Sequence, residues 1–123
     1  MVFQNRGYIN AVFNDDDSGS TATMDNGGNI EIAKHSTARF GGGISEVVLY
    51  DKALSSSEVA TIYNGREPYN HKEGACSSNL TGWWRMGDGL ERASGSTIYD
   101  MSDSSNNGTM NNIASDAFKG DTP

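Results

Sequence analysis

Residues that build covalent or metal-based frameworks are scarce in this chain of 123 residues. Cys76 is the only cysteine, so no disulfide can form within the chain and no cysteine-based zinc site can be built. His35 and His71 are the only histidines, which makes a histidine metal cluster remote. The sequence therefore excludes a scaffold that is stapled by internal disulfides or folded around zinc.

Long apolar runs and basic residues are also lacking. A membrane-spanning helix needs about 18 or more consecutive apolar residues, and no such run occurs. Nine lysines and arginines face sixteen acidic residues, and the net charge of −7 disfavours binding to the phosphates of nucleic acids. The residues after Met1 lack the charged and apolar regions of a secretion signal. We therefore expect no membrane segment, no nucleic-acid partner and no secretion signal of the chain's own.

Glycine, serine and asparagine are abundant instead, with fifteen, fifteen and twelve copies. All three weaken helix interiors and favour turns, and only 35% of the residues are hydrophobic. This composition disfavours a helical bundle and predicts a turn-rich β protein.

Short apolar segments between turn residues predict the strands. Residues 7–14 carry apolar side chains on both faces, which is typical of a strand buried between two layers. Residues 29–34 predict a strand that buries Ile30 and Ile32. Residues 44–50 predict a central strand, because β-branched and aromatic residues dominate there. Further short strands are predicted at 80–86, 97–101 and 109–113.

One helix is strongly encoded by local signals. The sequence from Ser55 to Glu58 fits a capping box, in which each side chain bonds to the other residue's backbone N–H. Apolar residues then recur at helical spacing, and Gly65 lies where a left-handed C-terminal cap belongs. The pattern predicts a helix over 56–64.

The stretch from residue 43 to residue 65 is distinctive. It reads GISEVVLYDKALS over 43–55 and ends in YNG over 63–65. This resembles the closing signature of the laminin-G-like, concanavalin A-like lectin/glucanase jelly-roll family, roughly G-x-I-D-E-V-R-I-Y-x-x-A-L-S before a short helix that ends in Y-N-G. Ser45 stands where the family has aspartate, whereas Glu46 and Tyr50 match.

A second stretch resembles the opening of the same kind of module. Residues 80–89 read LTGWWRMGDG and are similar to its first strand, L-x-x-x-W-x-x-x-D/E-G. The segments STIYDMS and NNGTM, at 96–102 and 106–110, continue the match to D-x-S-x-x-x-N-x-G-T-L. The segment that resembles the end of a module therefore precedes the segment that resembles the start of one.

The resemblance divides the chain into three segments. Residues 1–69 resemble the C-terminal half of a lectin-like jelly roll, 70–79 read as a linker, and 80–123 resemble the N-terminal strands of a second or the same jelly roll. Three explanations stay open: a fragment of a tandem array, a permuted jelly roll whose halves pair with each other, or copies that supply strands to one another. The expected fold is an all-β antiparallel sandwich, incomplete or permuted, with one short helix.

Catalysis by paired carboxylates requires two acids that face one cleft. Glu31 and Glu46 have no acidic neighbour two positions away, and Glu58 is committed to the capping box. No nucleophile elbow of the type G-x-S-x-G and no phosphate-binding glycine loop after a strand occurs. We therefore predict that the chain is not an enzyme.

Calcium is the cofactor that the sequence leaves open. Asp15, Asp16 and Asp17 lie in a polar cluster over 14–19, which reads as a turn. Closely spaced hard oxygens are what calcium requires, and lectin-like jelly rolls often hold calcium in rim loops. These three aspartates are the candidate calcium ligands, and a solvated acidic turn is the alternative.

The resemblance also implies a function. Forms of this jelly roll that are rich in asparagine, serine and glycine, without disulfides, look like those in marine phage structural proteins. We therefore expect a virion module on a capsid or tail, whose partners are other virion proteins or copies of itself, with host glycans as a further ligand. The alternative is an extracellular carbohydrate-binding module of a secreted bacterial protein.

Overall fold

The computed structural model describes residues 5–17, 29–35, 38–86 and 96–111. Within these ranges the chain forms short strands that pair in four two-stranded antiparallel sheets, and one short α-helix. This β-rich arrangement agrees with the predicted all-β class, and assembly of the sheets into a sandwich stays a prediction. The elements are β1 (Asn5–Ile9), β2 (Val12–Asp17), β3 (Lys34–His35), β4 (Ala38–Arg39), β5 (Val47–Tyr50), α1 (Ser56–Tyr63), β6 (Leu80–Trp84), β7 (Thr97–Ile98) and β8 (Gly108–Thr109).

The chain divides into two compact units, which are unit 1 (Met1–Gly42) and unit 2 (Gly43–Pro123). The buried residues of the described ranges all belong to unit 2, and they are His71, Cys76, Gly82, Trp83, Trp84 and Ser102. The core therefore lies in unit 2, around β6.

Unit 1 contains a tight hairpin of β1 and β2. Asn10 and Ala11 both have positive φ, 51° and 60°, as the two central residues of a type I′ turn require. Tyr8 lies opposite Phe13, and their rings meet edge to face with centroids 5.9 Å apart. The predicted single strand over 7–14 is therefore wrong, because the turn splits it at its centre.

The remaining described part of unit 1 is the short pair β3 and β4. Residues 29–33 precede β3 and lie outside any strand, and Ile30 and Ile32 are 69% and 38% exposed. Ala33 has a φ of 64°, which ends the extended run before β3. The predicted strand over 29–34 with two buried isoleucines is therefore wrong.

Unit 2 is organised by the antiparallel pair of β5 and β6. Val47 lies opposite Trp84 and Val48 opposite Trp83, and Thr81 forms a bulge near the start of β6. The predicted strands over 44–50 and 80–86 are thus found in shortened form. In the described residues β5 pairs with β6 alone, so its predicted central position is not seen.

Helix α1 begins as the sequence predicts. The Glu58 N–H donates to Ser55 Oγ at 3.3 Å, and the Ser55 N–H donates to Glu58 Oε2 at 2.8 Å, so both halves of the capping box are present. At the C-terminus Asn64 adopts the left-handed conformation, and its N–H donates to the carbonyl of Ala60. The predicted helix is confirmed: Asn64 is its C-cap, and Gly65 has the expected left-handed backbone, with a φ of 65°.

Residues 64–79 connect α1 to β6. The connection contains 3-10 turns at Asn64–Arg66 and Ser77–Asn79 and buries His71 and Cys76, each 4% exposed. The predicted linker over 70–79 is therefore packed within unit 2. The assignment of 1–69 and 80–123 to jelly-roll halves stays a prediction.

No helix in the described ranges has the length and hydropathy needed to cross a lipid bilayer.

Candidate functional site

The most densely built site of the described residues surrounds His71 in unit 2. We call it the His71 cluster, and its members are Glu46, Tyr50, Tyr69, His71, Trp83 and Arg85. Tyr50 lies on β5 and Trp83 on β6, while Glu46 directly precedes β5 and Arg85 directly follows β6. The pairing of the two strands therefore brings together residues that are far apart in the sequence.

Three aromatic rings enclose the imidazole of His71. Its ring centroid lies 6.1 Å from that of Tyr50, 5.2 Å from that of Tyr69 and 5.0 Å from that of Trp83, all edge to face. Among the described residues, the polar contact of the ring is with Tyr50, whose hydroxyl oxygen lies 2.6 Å from Nδ1. His71 therefore occupies an aromatic pocket with a single close hydroxyl group.

The protonation states in this pocket follow from burial. Burial, with smaller contributions from Cys76 and Tyr69, raises the pKa of Tyr50 to about 12, so Tyr50 is a phenol at neutral pH. Burial also lowers the pKa of His71; the charge of Glu46 opposes this, and that of Arg85 adds to it. The contact therefore joins a neutral phenol and a neutral imidazole, and the tautomer of the ring decides which of the two atoms is the donor.

Glu46 organises the outer side of the cluster. Its two carboxylate oxygens accept from Trp83 Nε1 at 2.7 Å and from Arg85 Nε at 3.1 Å. The guanidinium of Arg85 also lies 5.5 Å from the centre of the Trp83 ring. Glu46 has a φ of 54°, uncommon for a residue with a side chain, so these contacts hold the backbone in a strained region.

Asp100 is a second centre of hydrogen bonding in unit 2. Its carboxylate accepts from the backbone N–H of Trp83, Ser102 and Asn106 at 2.8, 2.9 and 2.8 Å, and from the Ser102 hydroxyl at 2.9 Å. Burial alone would raise the pKa of Asp100, but these hydrogen bonds outweigh it and lower the pKa. Asp100 therefore joins the loop after β7 to β6.

Both tryptophans are committed to the interior. Trp83 and Trp84 are 6% and 7% exposed. The indole N–H of Trp83 donates to Glu46, and that of Trp84 donates to the carbonyl of Asn106 at 2.9 Å. Their burial leaves little ring surface for stacking on a sugar, so they support the fold of unit 2.

A shallow depression of about 90 Å³ lies beside the start of α1. Glu58 borders it, and hydrogen bonds from Lys52 and then Ser55 lower the pKa of this carboxyl to about 2. Burial raises the pKa of the neighbouring Cys76 thiol. Cys76 is therefore a protonated thiol at neutral pH, which disfavours a nucleophilic role.

The predicted calcium ligands lie in unit 1. The backbone of Asp15, Asp16 and Asp17 belongs to β2, where it pairs with Gly7, Arg6 and Asn5. The prediction of a turn over 14–19 is therefore wrong as far as residue 17, because the hairpin extends the strand, and residues 18 and 19 lie outside the described ranges. Among the described residues no group of three or more metal-binding side chains is found. Calcium binding by the three aspartates stays a prediction.

The hairpin of unit 1 carries an apolar surface. Ile9 and Val12 lie opposite each other on one face and are 60% and 69% exposed, and we call these two residues the hairpin surface; Phe13, opposite Tyr8 on the other face, is 51% exposed. Such side chains on a two-stranded sheet bury little against their own hairpin. The arrangement is typical of a surface that another protein covers.

Sequence reasoning anticipated some of these residues and missed others. The capping box was predictable, because it depends on two residues that lie three positions apart. The roles of His71 and Glu46 were missed, since they depend on the pairing of β5 with β6. The signal that pointed toward them was the resemblance of 43–55 and 80–89 to the two ends of one kind of module.

Comparison of the chain with protein-family models, curated proteins and solved structures finds no match.

Proposed function

We propose that this chain is a non-enzymatic interaction module on the surface of a phage particle, built on a permuted laminin-G-like jelly roll. The observation that carries the interaction role is the hairpin surface of unit 1. The assignment to a virion rests on the resemblance of 43–65 and 80–110 to modules of phage structural proteins.

The hairpin surface supports an assembly role on energetic grounds. Full burial of a side chain such as Ile9 or Val12 is worth roughly 1.5–3 kcal/mol, and most of this gain is still available to a partner. A two-stranded hairpin is also marginally stable alone, and its outer edges can accept another strand. Other virion proteins or further copies of the chain are the partners that this surface suits.

The pairing of β5 with β6 supports the permuted form of the jelly roll. β5 lies in the closing signature and β6 in the opening signature, and the two are hydrogen-bonded neighbours in one chain. A permuted module, whose halves pair with each other, requires such a contact. A fragment of a tandem array or a strand-sharing oligomer does not.

A non-enzymatic role is supported by what the acids of unit 2 do. Glu46 and Asp100 accept internal hydrogen bonds, and Glu58 caps α1 and pairs with Lys52 at 2.6 Å. Carboxylates committed in this way position the fold and are poorly placed to act as a general acid and base.

Light scattering of the full chain tests the assembly role. We expect the wild-type chain to associate with rising concentration, and Val12→Ser to shift this association to higher concentration. Ile30→Ser is the matched control, because Ile30 is also 69% exposed and lies outside the hairpin. A strict monomer at all concentrations contradicts self-association and leaves other virion proteins as the partner. Equal effects of the two substitutions contradict the choice of surface.

The neighbouring genes test the virion assignment. Genes for capsid or tail proteins support it, whereas a reading frame shared with a hydrolase or an adhesin supports the secreted carbohydrate-binding alternative. A glycan array, probed with calcium and then with a chelator, tests the glycan ligand and the calcium role of Asp15, Asp16 and Asp17 together. Glycan binding that the chelator abolishes supports both.

A further inference from the structure

We propose that His71 makes unit 2 acid-sensitive, so that protonation of its buried ring loosens the pairing of β5 and β6 under mildly acidic conditions. This inference rests on the His71 cluster and is independent of the proposed function.

The position of the ring is the first argument. His71 is 4% exposed, and its neighbours come from β5 (Tyr50), from β6 (Trp83) and from the connection between α1 and β6 (Tyr69). A charge placed in such a pocket is poorly solvated, because the surrounding rings replace water. Protonation of this one ring therefore acts directly on both strands of the central sheet of unit 2.

Among the residues that the structure describes, no acidic side chain pairs directly with the ring. Glu46 attracts a positive charge on the ring, but its oxygens already accept from Trp83 and Arg85. Arg85 repels a second positive charge, and Tyr50 is a neutral phenol at neutral pH. Burial, together with the repulsion from Arg85, outweighs the attraction from Glu46, so the pKa of His71 is lowered.

Protonation also restricts the hydrogen bond to Tyr50. Both ring nitrogens of a protonated imidazole are donors, so Nδ1 cannot accept from the Tyr50 hydroxyl in that state. The Tyr50 O–H must then point to a different acceptor, while the ring carries a buried charge.

The direction of the pH effect follows from proton binding. The pKa of His71 is lower in the folded state than its ordinary value of 6.5, so near and below pH 6.5 the unfolded chain binds more protons. The contribution of the neutral His71 ring to the free energy of unfolding is complete above pH 6.5, and it falls as the pH decreases toward the folded-state pKa. One proton changes the unfolding equilibrium constant by at most about tenfold per pH unit.

Urea unfolding of the full chain, followed by tryptophan fluorescence, tests the proposal. Trp83 and Trp84 are the only tryptophans and both lie on β6, so the signal reports on unit 2. Histidine is the side chain that ordinarily titrates between about pH 5 and pH 7.5. The variants are His71→Gln, which keeps a group able to accept from Tyr50, and His35→Gln, which removes the other histidine.

We expect the urea midpoint of the wild type and of His35→Gln to fall across this pH range, with a several-fold rise in the unfolding equilibrium constant, and that of His71→Gln to stay nearly constant. A parallel fall in all three proteins overturns the proposal. If His71→Gln does not fold, the NMR titration of the wild-type histidines decides: a His71 midpoint below 6.5 supports the proposal, and one at or above 6.5 overturns it.

Discussion

Units 1 and 2 use their apolar residues in opposite ways. In the described ranges, unit 2 contains every buried residue, with Trp83 and Trp84 at its centre. Among the described residues, unit 2 has one exposed large apolar side chain, Tyr99. The others lie in unit 1, and they are Ile9, Val12, Phe13, Ile30, Ile32 and Phe40. The two units of one polar, acidic chain therefore differ in how completely each covers its own apolar side chains.

The difference shows which interactions order the structure of a chain with few apolar residues. The buried tryptophans of unit 2 have polar partners: Trp83 donates to Glu46 and Asp100, and Trp84 donates to the carbonyl of Asn106. The loop after β7 also covers the edge of β6, because Met101 donates to the carbonyl of Trp83 at 2.7 Å. Order in unit 2 thus arises from aromatic burial that is matched by polar partners.

Loss of the Asp100 carboxylate is expected to have the largest effect on the stability of unit 2. Asp100→Ala leaves the N–H of Trp83, Ser102 and Asn106 without their acceptor, and we expect a loss of about 3 kcal/mol in the free energy of unfolding. Urea unfolding followed by tryptophan fluorescence measures it.

Asp103→Ala is the matched control in the same loop. Asp103 is 93% exposed and pairs with Lys72 at 2.8 Å, so its removal is expected to cost less than about 1 kcal/mol. Equal losses for the two alanine variants would show that loop composition, and not the polar partners of Trp83, stabilises unit 2.

Substitution of Gly82 tests how tightly the buried aromatic side chains of unit 2 are packed. A Cβ at this position would overlap the buried indole of Trp84, so Gly82→Ala is expected to cost about 1–3 kcal/mol through overpacking. Gly43→Ala is the control, because a Cβ there meets no atom within 4 Å. Thermal melting of both variants measures the difference, and an unchanged melt for Gly82→Ala would contradict tight packing around Trp84.

The smallest expected effect concerns the helix of unit 2. Ser55→Ala removes the oxygen that accepts from the Glu58 N–H, and we expect a loss of about 1 kcal/mol in stability. Ser55→Thr retains a hydroxyl and is expected to recover most of the loss. Circular dichroism during urea unfolding follows both, and equal stabilities of wild type and Ser55→Ala would mean that the capping box does not stabilise unit 2.

The parts of the fold that the sequence predicted are those fixed by near neighbours. The capping box needs only Ser55 and Glu58, and β6 needs only a run of apolar and aromatic residues around Trp83. The two partners of the capping box lie three positions apart, and the apolar pattern of β6 is continuous in the sequence.

The parts that were missed depend on distant partners or on backbone strain. Residues 7–14 look like one strand because apolar side chains occupy both faces, and Ala11 at positive φ gives no turn signal in the sequence. Ile30 and Ile32 alternate like strand residues but have no partner strand in the described ranges. The His71 cluster was missed because its members meet only through strand pairing.

The bulged register of β5 and β6 has a consequence for synthesis of the chain. Tyr50 pairs with Leu80, so residues 51–79 must leave the ribosome before β5 acquires its partner. During that interval the nascent chain exposes an apolar strand with an unsatisfied backbone edge, a species on which chaperones act and from which aggregates grow. Closure of this long loop also makes the folding of unit 2 slow relative to that of the local β1–β2 hairpin.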